Sequence, residues 1–430
     1  MTVIIPLLAL LVFLAFGMPI AFAMGISGMF GLVMNGGFDV LFGILQTAPY
    51  ESIKSFLFTT IPMFILMAHF MLESRITDDL FKSAQKWFGH MPGGLAIATV
   101  FAGTGMAAVS GSSTASTATM AVSAVPEMKK HGYSTELSMG VVSIAGTLAV
   151  MIPPSLALIM YGILTDTGVG ELLIAGIIPG VITAVGYIVT IVIWAKIKPN
   201  SAPTVSSSSF IEKLKSLKTV WAMVIIISFV IVTIYAGVVT PTEAGAIGAF
   251  AAFIVSLLMR RLTVKSVLKA LGDTLKSTTM ILTIVICAMI FGYFISITGV
   301  TQDLVAYVVG LDVSKWVIVM ILVIFYIVLG MFLDQMAILI LTLPLSFPII
   351  ASLGFNPIWF GIIVTKTVEI GLVTPPVGLN VFIASGATGI KSSLGFKGVF
   401  WFLVTDLVIL IILLMIPALS TWLPGKMISF

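Results

Sequence analysis

Charge is what this sequence most lacks. Its 430 residues hold 21 Lys and Arg and 17 Asp and Glu, or 9%, where a soluble protein carries roughly a quarter. Apolar residues make up 59%, and mean hydropathy is +1.21. A chain this poor in charge cannot cover a water-facing surface, which excludes two or three soluble domains and leaves an integral membrane protein. The single cysteine, Cys287, excludes an internal disulfide and a thiolate metal cluster. A net charge of +4 is compatible with nucleic acid, but the basic residues are scattered along loops, so no nucleic-acid partner is expected. Alternating ten-residue segments are also missing, which excludes a membrane β-barrel. The first apolar run has no mature domain behind it and reads as a membrane segment, not a cleaved signal.

What is present is a series of long apolar runs, near 3–34, 55–73, 134–164, 170–195, 219–240, 243–259, 277–298, 356–390 and 398–424. Runs of about 20 apolar residues specify helices that cross a bilayer, so the fold class is all-α and polytopic. Gly17-Met18-Pro19 either kinks the first run or joins two shorter helices. The segment 201–209, rich in Ser and Pro, is the only soluble-looking linker and divides the chain near its middle. Segments 75–90, 264–276 and 299–312 are short and amphipathic, and suit helices lying in the membrane interface or, alternatively, ordinary connecting loops.

Two stretches do not behave as simple spans. Met91–Pro126 is uncharged over 36 residues, and Trp316–Thr365 carries one charged residue, Asp334. Each can enter the membrane, turn and leave again. Lys82, Lys86 and His90 precede the first, and Lys129, Lys130 and His131 follow it. Both its ends therefore face the cytoplasm, as a re-entrant hairpin requires. The second follows Asp303, Asp312 and Lys315 and meets no further charge, Asp334 apart, until Lys366, so it enters from the opposite face.

The two halves can be superposed. Ile76-Thr77-Asp78-Asp79-Leu80 matches Val300-Thr301-Gln302-Asp303-Leu304. Pro126 pairs with Pro348, Gly132 with Gly354, and Pro153-Pro154 with Pro375-Pro376, each 222 residues apart. At that spacing Ser112 falls on Asp334. With opposite entry faces, the copies form an inverted repeat, the architecture of secondary transporters.

The chemistry gathers at the breaks. Residues 110–119 carry seven hydroxyls in ten positions, inside an apolar stretch. Irregular backbone at membrane depth is tolerated only where protein buries it or it lines a wet cavity. Such a tip offers oxygens to a hard cation and helix N-termini to an anion; the alternative is close helix packing through small residues. Ile152-Pro153-Pro154-Ser155 and Thr374-Pro375-Pro376-Val377-Gly378-Leu379-Asn380 interrupt two further helices. Paired prolines remove backbone donors, which frees carbonyls for a cation or simply kinks the helix. Asp334 is a sodium ligand, a proton carrier or a cap on a hairpin helix. Lys366 and Glu369 stand three apart on one helix and form an intramembrane pair, more structural than substrate-binding. His69 reads as a polar contact within the protein.

These motifs resemble, in order and over nearly the whole chain, the large membrane subunit of tripartite ATP-independent periplasmic (TRAP) transporters. The likeness rests on Ser110-Gly111-Ser112-Ser113, Ile152-Pro153-Pro154-Ser155, Thr240-Pro241-Thr242-Glu243-Ala244, Gly330-Met331-Phe332-Leu333-Asp334 with Pro344 and Pro348, and Thr374-Pro375-Pro376-Val377-Gly378. The general pattern is similar to the sialic acid branch.

The resemblance implies an elevator-type importer of the bacterial inner membrane, with two re-entrant helical hairpins and two broken helices. Na+ is the implied coupling ion, with no organic cofactor, and the substrate is an organic acid such as sialic acid or a C4-dicarboxylate. Implied partners are a small four-helix membrane subunit (Q), expected as a separate chain, and a soluble periplasmic substrate-binding protein (P). Sodium candidates are Gly111, Ser112, Ser113, Pro153, Asp334, Thr374 and Gly378. Substrate candidates are Thr114, Ser116, Ser155, Pro376 and Asn380. The expected division is 1–75 scaffold, 76–165 first repeat, 166–276 scaffold and linker, 277–390 second repeat and 391–430 C-terminal helix. Residues near 91–165 and 315–390 would slide against 1–75 and 170–260.

Three other classes are weighed. An intramembrane protease lacks a second membrane aspartate in a suitable motif to pair with Asp334 and a histidine on a later span for Ser112, so no enzyme is expected. A passive channel does not need inverted broken helices. A stand-alone sodium- or proton-coupled organic anion carrier, working without a binding protein, is the nearer alternative.

Overall fold

The computed structural model describes residues 2–205 and 207–427, without the side chains of Thr77 and Asp78. The outer ends of the N- and C-terminal divisions, the middle of the Ser-Pro linker and part of the Ile76–Leu80 match lie outside the described residues. Every described segment of regular structure is helical, and eight are long and apolar enough to cross a bilayer.

The first run resolves into two helices, Ile4–Ala15 and Ile20–Ile53. Gly17, at φ +78°, and Pro19 separate them, because neither residue propagates a helix. The second helix runs on well past residue 34, with a local break at Gly37. The segment 264–276 is likewise no separate interfacial helix. It continues into the next span as Val264–Thr298, so a boundary at 276 falls inside one helix. Its Lys and Asp residues decorate the end of a helix that is simply longer than the membrane is thick.

These two long helices pack along each other, and Thr60–Glu73 packs against both Val264–Thr298 and Pro241–Leu258. The start of Pro241–Leu258 shows why Thr240-Pro241-Thr242-Glu243 belongs there. Thr240 Oγ1 accepts the Glu243 N–H at 3.3 Å, and Glu243 accepts the Thr240 N–H at 2.8 Å. This is a capping box with Pro in the first turn, where its missing donor costs nothing. With Phe210–Tyr235, these helices form a frame.

Against the frame lie two matched units. In the first, Gly94–Ser110 and Ser113–Lys130 form a hairpin. An interrupted helix follows: Thr135–Ala145 continues as the 3-10 turn Gly146–Val150, breaks, and resumes at Leu156–Thr165. In the second, the hairpin is Lys315–Gly330 and Gln335–Ser352, and the interrupted helix is Pro357–Val373 and Leu379–Thr388. Short helices precede both, at Ile76–Phe88 and Val300–Val309.

The repeat extends to backbone detail. Gly132 and Gly354 both take left-handed φ, as do Asp166 and Gly389 at the far ends of the interrupted helices. Pro153–Pro154 and Pro375–Pro376 are both cis. Ser112 and Asp334, paired by the sequence spacing, are both the capping residue of the second hairpin helix.

The units also exchange partners. Leu379–Thr388 packs on Ser113–Lys130, and Leu156–Thr165 packs on Gln335–Ser352. Tyr161 in the first unit donates to the Pro357 carbonyl in the second at 2.8 Å. The helices Ile177–Ile197 and Ser392–Met415 pack on each other, and the latter lies along both interrupted helices. The first break is buried, while Pro375 and Pro376 of the second are exposed, and the hairpins meet the frame: Thr60–Glu73 touches the first and Val264–Thr298 the second.

Candidate functional site

The two hairpin tips line one cavity of about 390 Å³. Ser110–Ala115 supplies one wall and Asp334–Met336 another; Ala68, His69, Ser277 and Met280 from the frame close it. The order of the chain explains this convergence. Each tip is the start of a helix whose first N–H groups have no partner within the helix, and both starts point to the same space.

At the first tip, Gly111 has φ +56°, and a Cβ there would lie 2.9 Å from the Pro154 carbonyl oxygen. Only glycine lets the tip approach the first helix break so closely. The Leu156 N–H donates back to the Gly111 carbonyl at 3.4 Å. Ser112 accepts the Ala115 N–H at 3.4 Å and lies 3.1 Å from the Thr114 hydroxyl. The Ser110 and Ser116 hydroxyls bond at 2.7 Å, so Ser116 braces the tip from behind. Ser113 turns toward the other unit and accepts from Asn380 at 2.6 Å.

At the second tip, Asp334 Oδ1 accepts the Met336 and Ala337 N–H groups at 2.9 and 3.3 Å. Of the roles open to Asp334, the cap is directly visible, and the residue also faces the cavity. Gln335 beside it is buried, and its amide nitrogen finds no acceptor among the described residues.

The structure thus brings Gly111, Ser112, Ser113, Thr114 and Asp334 to one cavity. It places the other candidates elsewhere. Ser155 is buried and caps Leu156–Thr165, donating to the Val150 carbonyl at 2.5 Å and accepting the Leu158 N–H at 3.3 Å. The Thr374 hydroxyl donates to the Ile370 carbonyl at 2.5 Å. Pro153, Pro376 and Gly378 form the breaks and do not line the cavity. Asn380 is buried between the units, and among the described residues its side-chain oxygen lacks a donor; the buried Thr117 hydroxyl, one turn beyond Ser113 in the second hairpin helix, also lacks a partner. Unpartnered buried oxygens beside an irregular backbone are what a hard, dehydrated cation requires.

Sequence reading missed several contributors. His69 is part of the cavity wall and not merely an internal contact. Lys366 and Glu369 are not an isolated pair: Asp406 and Tyr187 complete a fully buried cluster. Both His69 and Asp406 are ionisable groups within long apolar runs, and that signal alone marks such residues.

Converging helix N-termini, two broken helices and a cavity at their meeting point define a multi-pass membrane transport permease. The model of the tripartite ATP-independent periplasmic transporter DctM component matches residues 7–419, and the chain belongs to that family. It is thus a permease of the bacterial inner membrane and not an enzyme. Relatives include the C4-dicarboxylate TRAP transporter large permease protein DctM of Pseudomonas aeruginosa, 35% identical over 87% of this chain and 88% of that one. The sialic acid TRAP transporter large permease protein SiaM of Vibrio cholerae is 25% identical over 96% of both chains. The isethionate TRAP transporter permease protein DctMQ of Oleidesulfovibrio alaskensis is 30% identical, covering 96% of this chain and 65% of its own. Among solved structures, the YdaH transporter of Alcanivorax borkumensis has a similar fold, with TM-score 0.65 over 90% of this chain and 88% of that one at 13% identity.

Proposed function

We propose that this chain carries a small organic anion into the cell as the large subunit of a sodium-driven TRAP importer. One observation supports the reading above others: two helix N-termini, Ser113–Lys130 and Gln335–Ser352, open onto one cavity beside oxygen-rich helix breaks. Helix N-termini favour a carboxylate, while hydroxyl and carbonyl oxygens suit Na+. Relatives named for C4-dicarboxylate, isethionate and sialic acid all point to organic acids. The higher identity to the C4-dicarboxylate permease favours that class over sialic acid.

In this reading the copies have inverted topology, the hairpins are re-entrant, and the two units move as an elevator against the frame. Na+ orders the tips and breaks, and the completed tips then hold the anion. The moving body comprises residues near 91–165 and 315–390. Ser392–Met415 travels with it, tied to Pro357–Val373 by the Lys366–Asp406 bond, and so does Ile177–Ile197, expected from the sequence in the scaffold, because Tyr187 bonds the same Asp406. A small four-helix subunit (Q) steadies the frame, and a periplasmic binding protein (P) delivers the substrate.

Co-reconstitution in proteoliposomes tests this. Labelled succinate or sialic acid, offered on the binding protein under an inward Na+ gradient, is expected to accumulate. Uptake that continued without the binding protein would favour the stand-alone carrier, and uptake indifferent to Na+ would remove sodium as the coupling ion.

A further inference from the structure

The Lys366, Glu369 and Asp406 side chains are completely buried, and none lines the tip cavity. Lys366 Nζ lies 2.6 Å from Asp406 and 3.1 Å from Glu369. The Tyr187 hydroxyl donates to Asp406, with 2.9 Å to each carboxylate oxygen, and the Thr147 hydroxyl lies 3.3 Å behind it. The cluster therefore joins four elements: Pro357–Val373, Ser392–Met415, Ile177–Ile197 and the turn Gly146–Val150.

If every group were ionised, one ammonium would face two carboxylates, leaving an uncompensated negative charge. Among the described residues, no other charged side chain pairs with any of the three. An unpaired buried charge is among the costliest features a protein can hold, and such groups neutralise instead. The two acids are also not equivalent. Asp406 receives both the shorter Lys366 contact and the tyrosine donor. Glu369 receives only the longer contact, on one oxygen, and its other oxygen, Oε1, is buried without any partner.

We propose that this cluster is a proton-holding site, with one proton resident on the Glu369 carboxyl and Lys366 paired with Asp406 as the ion pair. The proton stays through the transport cycle, because the cluster lies wholly inside the body that moves and its three ionisable side chains have no exposed surface. Glu369 Oε2 then still accepts from Lys366, and Oε1 carries the proton as a neutral O–H, which costs less without a partner than an anionic oxygen does. The site binds no substrate; it is a positioning site that fixes the second interrupted helix to its neighbours. Only the retention through transport rests on the reading above, and the protonation state does not.

Infrared spectroscopy of the reconstituted protein, with H/D exchange, tests the protonation directly. The expected result is a carbonyl stretch of a protonated carboxyl that survives in D334N and vanishes in E369Q. Its absence from the wild type, or its loss in D334N alone, overturns the assignment. E369Q, an isosteric neutral replacement, should also fold and retain uptake near wild type. D406N should lose the protonated-carboxyl band, because Glu369 then ionises to pair with Lys366, and a band that persisted in D406N would overturn the assignment. An E369Q protein that misfolds, or that folds but cannot transport while the wild type does, would overturn the retained proton. A wild type that fails to transport with its partners bears instead on the transport reading, and the infrared result stands apart from it.

Discussion

The Asn380 amide donates to the Ser113 hydroxyl at 2.6 Å, so the second interrupted helix holds the tip of the first hairpin. The partners are 267 residues apart in the chain, and both are fully or nearly fully buried. Removing the amide leaves Ser113 without its donor. Asn380→Ala should therefore destabilise the protein by about 1–3 kcal/mol. The thermal midpoint in detergent should fall, and uptake should fall with it. An Asn380→Ala protein with an unchanged midpoint would mean that the units do not depend on this contact.

Ser112 and Asp334 occupy the same structural position, each capping the second helix of its hairpin. Asparagine caps a helix about as well as aspartate. Asp334→Asn therefore separates the two roles: it keeps the cap and removes the charge. If Asp334 contributes to a cation site, the sodium concentration for half-maximal uptake should rise in Asp334→Asn with no change in thermal midpoint. Ser112→Ala should lower the midpoint through the lost cap, by about 0.5–2 kcal/mol, and also weaken sodium dependence. Normal sodium dependence in both variants would strike these residues from the ion site.

Much of this was legible because charges are scarce and the breaks are chemically loud. Paired prolines, a run of hydroxyls and an isolated aspartate all contradict a simple apolar span, so the hairpins and interrupted helices stood out. The 222-residue spacing then placed Ser112 opposite Asp334, and both proved to be caps. What stayed hidden was continuity and long-range assembly. Residues 264–276 are polar enough to look separate, yet nothing in them stops a helix, and they run into the next span. Asn380, Asp406 and Tyr187 acquire partners only through helix packing between distant segments. No local pattern encodes such partners.

The frame depends on one close helix approach. A Cβ at Gly28 would lie 2.8 Å from the backbone nitrogen and Cα of Phe291, on the neighbouring long helix. Neither backbone can yield without separating the helices, and overpacking of this kind costs about 1–3 kcal/mol. Gly28→Ala should therefore lower the thermal midpoint clearly. Gly43 lies in the same helix with open space around it, so Gly43→Ala should leave stability equal or slightly improved. Equal midpoints for the two variants would show that the Ile20–Ile53 and Val264–Thr298 contact carries little of the fold's stability.

Among the described residues, His69 is the only basic side chain lining the cavity between the tips, and it comes from the frame and not from either repeat. An anion held at the helix N-termini would face it across the cavity. Whether charged or neutral, an imidazole offers an N–H donor to a carboxylate or hydroxyl. His69→Ala should raise the KM for uptake roughly tenfold, the effect of one lost hydrogen bond of about 1.5 kcal/mol, with little change in maximal rate. Glutamine keeps a donor at similar reach, so His69→Gln should recover part of the loss. Since His69 belongs to the frame, an elevator would carry the substrate away from it, and the contact would exist on one side of the membrane only. His69→Ala should then slow uptake more than it slows exchange measured in the opposite direction. An equal effect in both directions would place His69 with the moving unit or outside the transport path.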